Sequence, residues 1–114
     1  MQVPVRFDSS PGVKTFRTRI VEGAAGDVNF AGHYLIVEWG CGTSCMSGVV
    51  INAMDGRVNF LPTAVWAREY HAESILLANN PPSPSEQENA ARPEWAKPEY
   101  FLWKDEVFSP ITNP

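Results

Sequence analysis

The chain is short of the side chains that usually carry catalysis or bind metals. It contains only two cysteines and two histidines, so a site built from thiolates and imidazoles has few ligands to draw on. Positive charge is also scarce, because no Lys or Arg lies between residues 20 and 56 and the formal net charge is −4. A weakly acidic chain without a basic stripe repels a phosphate backbone, so no nucleic-acid partner is expected.

Long apolar stretches and targeting signals are missing as well. No apolar run approaches the roughly 18 residues that a membrane-spanning helix needs, so no membrane span is expected. The N-terminus as given has no basic stretch followed by an apolar core, and therefore no recognisable signal peptide. The length of 114 residues, 44% of them hydrophobic, predicts a single globular domain over 1–114.

The first part of the chain predicts an edge strand followed by a helix. Residues 2–7 alternate between apolar and polar side chains, which is typical of an edge strand. Ser10 and Pro11 predict a helix start, with Ser10 as the N-cap and Pro11 at the first helical position. Apolar residues then recur at helical spacing as far as Ala24, so we expect a helix over 11–24.

The remainder predicts antiparallel strands, of which 32–39 is the most hydrophobic. Its alternation places Leu35, Val37 and Trp39 on one face and Tyr34, Ile36 and Glu38 on the other. This strand is expected to end in a turn at Gly-Cys-Gly, and Asp55-Gly56 is the strongest hairpin signal. Further strands are expected at 48–53, 57–61 and 74–78, with a closing hairpin over 100–108, whereas 62–73 has no clear assignment.

Together these elements predict an α+β fold. One N-terminal helix is expected to pack on an antiparallel, meander-like sheet of five to seven strands. Residues 79–98 contain half of the prolines and many polar side chains, which predicts a long, mobile surface loop. Trp95 lies in this loop, where a core role is least assured, and an exposed loop tryptophan is a candidate binding anchor.

Both cysteines fall in the short segment Trp39-Gly-Cys-Gly-Thr-Ser-Cys45. A disulfide between Cys41 and Cys45 is geometrically possible, because Gly40 and Gly42 let the backbone turn sharply, and it is favoured by analogy with small exported domains. Such a bridge contributes only about 2 kcal/mol by chain entropy, so its main effect would be to fix the shape of the loop. The alternatives are a redox pair, a zinc site completed by His33 and His71, and two unrelated free thiols.

Few other features of this region point to chemistry. The glycines of 40–44 would also suit an anion-binding nest, although the lysine of a phosphate-binding loop is missing. Ser44 and Ser47 lack the Gly-x-Ser-x-Gly elbow of hydrolases. Glu38 is interpreted as a solvated residue on the open face of the sheet, because a functional acid would need burial or a partner. No metal and no cofactor are expected.

Several segments resemble small exported bacterial proteins of unknown function. The resemblance rests on Asn29-Phe-Ala-Gly-His-Tyr34, on 39–45, and on 55–58, 74–77 and 100–103, and it covers residues 13–61 best. It implies a signal or lipid-attachment segment before the helix, a periplasmic or cell-envelope location and, in that oxidising compartment, a disulfide. The architecture is also similar to periplasmic inhibitors of lysozyme, whose disulfide-bounded loop carries a histidine where this chain has Thr43 and Ser44.

The sequence therefore predicts a binding module rather than an enzyme, with an inhibitor or immunity-like protein as one version. A rigid loop over 40–47 would engage a protein or cell-wall partner, since preorganisation raises affinity. The candidate contact residues are Glu38, Gly40, Gly42, Thr43, Ser44, Ser47 and Trp95. The alternative is a small thiol-dependent enzyme or redox protein that uses Cys41 or Cys45 as its nucleophile. The oligomeric state is not predicted.

Overall fold

The chain folds as a helix followed by two groups of strands in the computed structural model, which describes residues 3–42, 45–82, 87, 90 and 93–111. A 3₁₀ turn over Val13–Phe16 leads directly into helix α1, Arg17–Ala24. The strands are β1 Tyr34–Gly42, β2 Cys45–Asn52, β3 Val58–Phe60, β4 Arg68–Glu69, β5 Leu76–Asn79, β6 Glu99–Lys104 and β7 Val107–Pro110. The α+β class predicted from the sequence is confirmed.

The strands form two antiparallel sheets, and the expectation of a single sheet is wrong. The first sheet contains β1, β2 and β3, the second contains β4 to β7, and each has its strands in sequence order. Each sheet is therefore a meander. The sheets separate after β3, where the chain leaves the ladder and Ala64 pairs back with Met46 of β2 instead of starting a neighbouring strand.

The first sheet is covered on both faces, which explains why a second layer forms. Leu35, Val37 and Trp39 lie in one core cluster with the helical segment, as the alternation predicted. Ile36 belongs to a second cluster that includes Leu77 and Trp103 of the second sheet. The continuous apolar runs Leu-Ile-Val in β1 and Val-Val-Ile in β2 are typical of strands buried on both faces.

The N-terminal expectations need three corrections. Residues 3–7 are not a strand, although the Arg6 N–H donates to Gly56 O over 2.8 Å. Ser10 is not a helix cap, because its hydroxyl donates to Val58 O over 2.6 Å and so ties the segment to β3. Gly12 precedes the 3₁₀ turn instead, with a φ of 84°. The α-helix begins only at Arg17 and not at residue 11, although it ends at Ala24 as expected.

The predicted loop over 79–98 is only partly described. Residues 83–86, 88–89 and 91–92 lie outside the described residues, and Asn79 belongs to β5. The turn at 93–98 is anchored, because Ala96 is buried and its N–H donates to Pro93 O over 3.0 Å. Among the residues that the structure describes, no helix is long and apolar enough to cross a membrane.

Candidate functional site

The β1–β2 hairpin extends beyond the body of the domain. Its ladder continues from Trp39 opposite Ser47 to Gly40 opposite Met46 and Gly42 opposite Cys45, so the turn expected at Gly-Cys-Gly is strand instead. Met46 exchanges two backbone hydrogen bonds with Ala64, of 2.7 and 3.1 Å. Beyond that bridge, residues 40–42 are exposed. We refer to residues 40–45 as the hairpin tip; Thr43 and Ser44 lie outside the described residues.

A disulfide closes this hairpin tip. Cys41 and Cys45 are bonded with their Cα atoms 5.1 Å apart. The backbone accommodates the bridge through Gly42, whose φ of 130° lies in the region that favours glycine. An irregularity in the ladder between Gly40 and Gly42 places the two cysteines on facing strands. The favoured sequence interpretation of the cysteine pair is thus the one the structure contains.

The zinc alternative finds no support in the part of the chain that the structure describes. Both sulfurs are bonded to each other, so neither is a thiolate ligand. His33 and His71 are exposed, and His71 lies 3.6 Å from the Glu69 carboxylate rather than near the cysteines. Within the described ranges, no cluster of three or more His, Cys, Asp or Glu side chains is arranged to hold a metal.

Glu38 is not the solvated residue that the sequence suggested. Its carboxylate accepts a hydrogen bond of 2.7 Å from Nη1 of Arg68, and only 22% of its side chain is exposed. The Tyr70 hydroxyl donates to the other carboxylate oxygen over 3.3 Å. Burial and the neighbouring Glu38 carboxylate raise the pKa of Tyr70 to about 12. Glu38 therefore holds the hairpin to the second sheet.

Arg68 is the centre of this contact, and its side chain is 1% exposed. Its guanidinium donates to Asn79 Oδ1 over 3.0 Å, to Met46 O over 3.1 Å and to Pro62 O over 2.6 Å, in addition to Glu38. A planar, five-donor group suits such a set of acceptors. Met46 directly follows the hairpin tip in the chain. Arg68 therefore fixes the base of the tip, which is the part of β1 and β2 around Glu38 and Met46.

Two exposed tryptophans lie on segments connected to that base. Trp66, two residues after Ala64, is 41% exposed, and Trp95 is 59% exposed. The buried Asn80 joins their segments. Its Oδ1 accepts a hydrogen bond from the backbone N–H of Trp66 over 2.8 Å, and its Nδ2 donates to the backbone carbonyl of Lys97 over 3.1 Å. Trp95 is thus exposed as predicted, and Trp66 was missed because 62–73 had no assignment.

The opposite end of the hairpin carries a second polar cluster. Glu106, in the β6–β7 turn, accepts hydrogen bonds from the Tyr34 hydroxyl over 2.9 Å, from Asn52 Nδ2 over 3.1 Å and from Asn59 Nδ2 over 3.3 Å. Burial and the bond to Glu106 raise the pKa of Tyr34. These contacts again join the second sheet to the first, and their donors and acceptors satisfy one another.

Five of the seven predicted contact residues lie in the part of the chain that the structure describes, and they occupy different environments. Gly40 and Gly42 are on the hairpin tip, and Trp95 is on a neighbouring segment. Ser47 lies within β2 opposite Trp39, and Glu38 is held by Arg68. In the sequence, Arg68 stands out only as a lone arginine in the segment that leads to Asn79-Asn80. This pattern does not specify which residues the guanidinium would bind.

The arrangement offers a disulfide-closed hairpin end at which residues 40–42 are exposed. Two partly buried carboxylates, Glu38 and Glu106, each accept at least two hydrogen bonds from side chains of the same protein. Comparison with known proteins gives no match to a protein family, to a characterised protein or to a solved structure.

Proposed function

We propose that this protein is a non-enzymatic binding module that engages a protein or cell-wall partner through the disulfide-closed hairpin tip. The observation that carries the proposal is that the β1–β2 ladder continues past the Met46–Ala64 bridge and ends in a cross-linked pair, of which Cys41 is exposed and Cys45 is half-buried. A bridge at this place adds nothing to either core. Its effect is to fix the shape of a surface loop before binding, which lowers the entropy lost on association.

The base of the hairpin tip supports this proposal. Arg68 binds the side chain of Glu38 on β1 and the backbone of Met46 on β2, so both strands are fixed where they leave the domain. A binding loop on such a scaffold keeps its geometry without help from the partner. The exposed Trp66 follows the Met46–Ala64 bridge, so an aromatic anchor lies on the segment next to the tip.

The proposed compartment is the bacterial periplasm or cell envelope. Disulfides form and persist in oxidising environments and are rare in the cytosol, which supports export. The resemblance to small exported bacterial proteins agrees with this location. An inhibitor or immunity-like protein is one version of the proposal, by analogy with lysozyme inhibitors that present a disulfide-bounded loop. No observation favours the thiol alternative, since both sulfurs are bonded and neither lies at a helix N-terminus.

The proposal is tested by enlarging the hairpin tip. Thr43→Trp combined with Ser44→Trp is expected to abolish capture of the partner from a bacterial envelope extract. Stability should change by no more than about 0.5 kcal/mol, as for surface substitutions elsewhere. The measurements are quantitative mass spectrometry of proteins and muropeptides retained on the immobilised variants, and urea unfolding of each variant.

Met54→Arg is the matched control, because Met54 is 71% exposed in the turn beyond the other end of β2. This variant should retain the same partner as the unmodified protein. Equal retention by the double tryptophan variant would contradict the proposal. Loss of the partner from both variants would place the contact surface outside the hairpin tip and would also count against it.

A further inference from the structure

The outer edge of β1 is only half paired. β1 is the first strand of its sheet, so one side faces β2 and the other faces away. Even-numbered residues present their backbone groups to the outer side. Tyr34 shows this, because its N–H donates to Phe30 O over 3.0 Å and its carbonyl accepts the Asn29 N–H over 3.0 Å.

The next even-numbered residue, Ile36, is hydrogen-bonded to a side chain instead of to a neighbouring strand. The Ile36 N–H donates to Asn29 Oδ1 over 2.7 Å, and Asn29 Nδ2 donates to Ile36 O over 3.1 Å. A carboxamide offers the same donor and acceptor as a peptide group, so Asn29 occupies the place of an adjacent strand residue. The protein thus covers this edge as far as Ile36.

Beyond Ile36 the alternation reaches Glu38 and Gly40. Their backbone N–H and C=O groups have no hydrogen-bond partner among the described residues. Gly40 is exposed, and its chain neighbours aside, no heavy atom of the described residues lies within 4 Å of the position a side chain would take there. The edge therefore combines alternating donors and acceptors, free space and a strand held in shape by the disulfide and by Arg68.

We infer that the Glu38–Gly40 edge of β1 takes an extended segment of the partner protein as an additional strand. This inference rests on the proposed function and names the chemistry of the partner's contact. Free N–H and C=O groups at two-residue intervals are matched by another main chain, which is how extended peptides add to exposed sheet edges. A carbohydrate has no such repeating pattern of alternating amide donors and acceptors.

The occupant is a neutral or basic segment of a different protein rather than a second copy of this chain. Each copy carries a formal net charge of −4, so two copies repel each other on approach. The stretch without a partner among the described residues is also only two hydrogen-bonding residues long. Its area falls well below the roughly 1,000 Å² that a stable dimer interface needs, whereas a peptide can add contacts by continuing along the hairpin tip.

A matched pair of substitutions at Gly40 tests the inference. Gly40→Pro removes the outward N–H and places a ring where the added strand would lie, and an edge strand tolerates proline at such a position. Gly40→Ala keeps the N–H, and its methyl group meets no neighbour. The two variants should therefore fold alike, which circular dichroism and urea unfolding would verify, and differ only in the edge they present.

The probe is a displayed library of random linear 12-residue peptides, selected on the unmodified protein. A synthetic copy of an enriched peptide should bind Gly40→Ala within about twofold of the unmodified protein and Gly40→Pro at least about tenfold more weakly. Bound peptide should also slow amide hydrogen exchange at Gly40. Equal binding by both variants, or the absence of any enriched peptide, would overturn the inference. So would a Gly40-dependent dimer in sedimentation without peptide.

The same variants separate this inference from the proposed function. If the Thr43→Trp/Ser44→Trp protein loses its envelope partner while Gly40→Pro keeps it, the tip binds the partner but β1 adds no strand. That result would reject the edge inference and leave the binding module intact. If all of these variants keep the partner, both proposals fail together.

Discussion

Arg68 illustrates how a single buried side chain determines where the exposed part of the molecule is held. Its charge is almost completely removed from water and is compensated by Glu38 and three further acceptors. Buried ion pairs repay their desolvation only when such bonds are complete. The ion pair between Arg57 and Asp55 is exposed instead, with 48% of the Arg57 side chain and 37% of the Asp55 side chain accessible to solvent. Two arginine–carboxylate pairs in one chain thus differ mainly in burial.

This contrast predicts a large difference between two truncations. Arg68→Ala removes the cation from the largely buried Glu38 carboxylate, which keeps only the Tyr70 hydroxyl as a donor among the described residues, so we expect a loss of about 3–5 kcal/mol in the free energy of unfolding. Arg57→Ala should cost far less than Arg68→Ala, because exposed ion pairs contribute little. Urea unfolding of both variants checks the prediction. Similar losses would show that burial does not make the Arg68 ion pair more important for stability than the exposed Arg57 pair.

At the scale of elements, the positions of the strands could be predicted from the sequence better than the pairing between strands. Apolar runs and turn signals located β1, β2 and β3 and the closing β6–β7 hairpin. Alternation failed over residues 3–7, where the pattern is present but the Arg6 N–H donates to Gly56 O in a turn and the Arg6 carbonyl accepts the Ser9 N–H. A local pattern does not specify which edge, if any, is available for pairing.

The second sheet and the polar contacts of the base depend on distant residues. β4 is two residues long, and Arg68 reaches acceptors up to thirty positions away in sequence, so no local window contains the information. The disulfide could be predicted because both cysteines and the two glycines beside Cys41 lie within six residues. The candidate loop was therefore found from sequence, but its extended strands and the Arg68 contact were not.

Helix α1 contains a glycine that its own propensity does not explain. Gly23 faces β1, and a Cβ at this position would overlap the Val37 side chain. Gly23→Ala normally stabilises a helix by roughly 0.5–1 kcal/mol, whereas a clash in a packed core costs about 1–3 kcal/mol. Because Val37 is β-branched and buried, we expect the clash to prevail and thermal unfolding to show a lower melting temperature.

A double-mutant cycle isolates the cause. Val37→Ala alone should destabilise by leaving a cavity, and adding Gly23→Ala to it should cost less than in the parent, because the space has been made. Strict additivity of the two changes would mean that the glycine serves the helix backbone rather than the close approach to β1. A stabilised single Gly23→Ala variant would contradict the packing argument directly.

For the molecule as a whole, stability and the proposed binding surface are located in different places. The two hydrophobic clusters lie on opposite faces of the first sheet and contain no residue of the hairpin tip. Polar contacts from Arg68 and Glu106 then join the two sheets near the two ends of the hairpin. The disulfide lies outside all of these, beyond the Met46–Ala64 bridge.

This separation predicts that the bridge can be removed without unfolding the domain. Cys41→Ser combined with Cys45→Ser opens a five-residue loop, so the chain-entropy treatment gives a loss of only about 2 kcal/mol. Circular dichroism should be unchanged, and amide hydrogen exchange should speed up at residues 40–42 while Val49 to Ile51 stay protected, because those residues are paired and buried. Faster exchange throughout β2 would instead show that the bridge supports the sheet. In the expected case partner capture falls although the core is intact, since only the shape of the hairpin tip has been released.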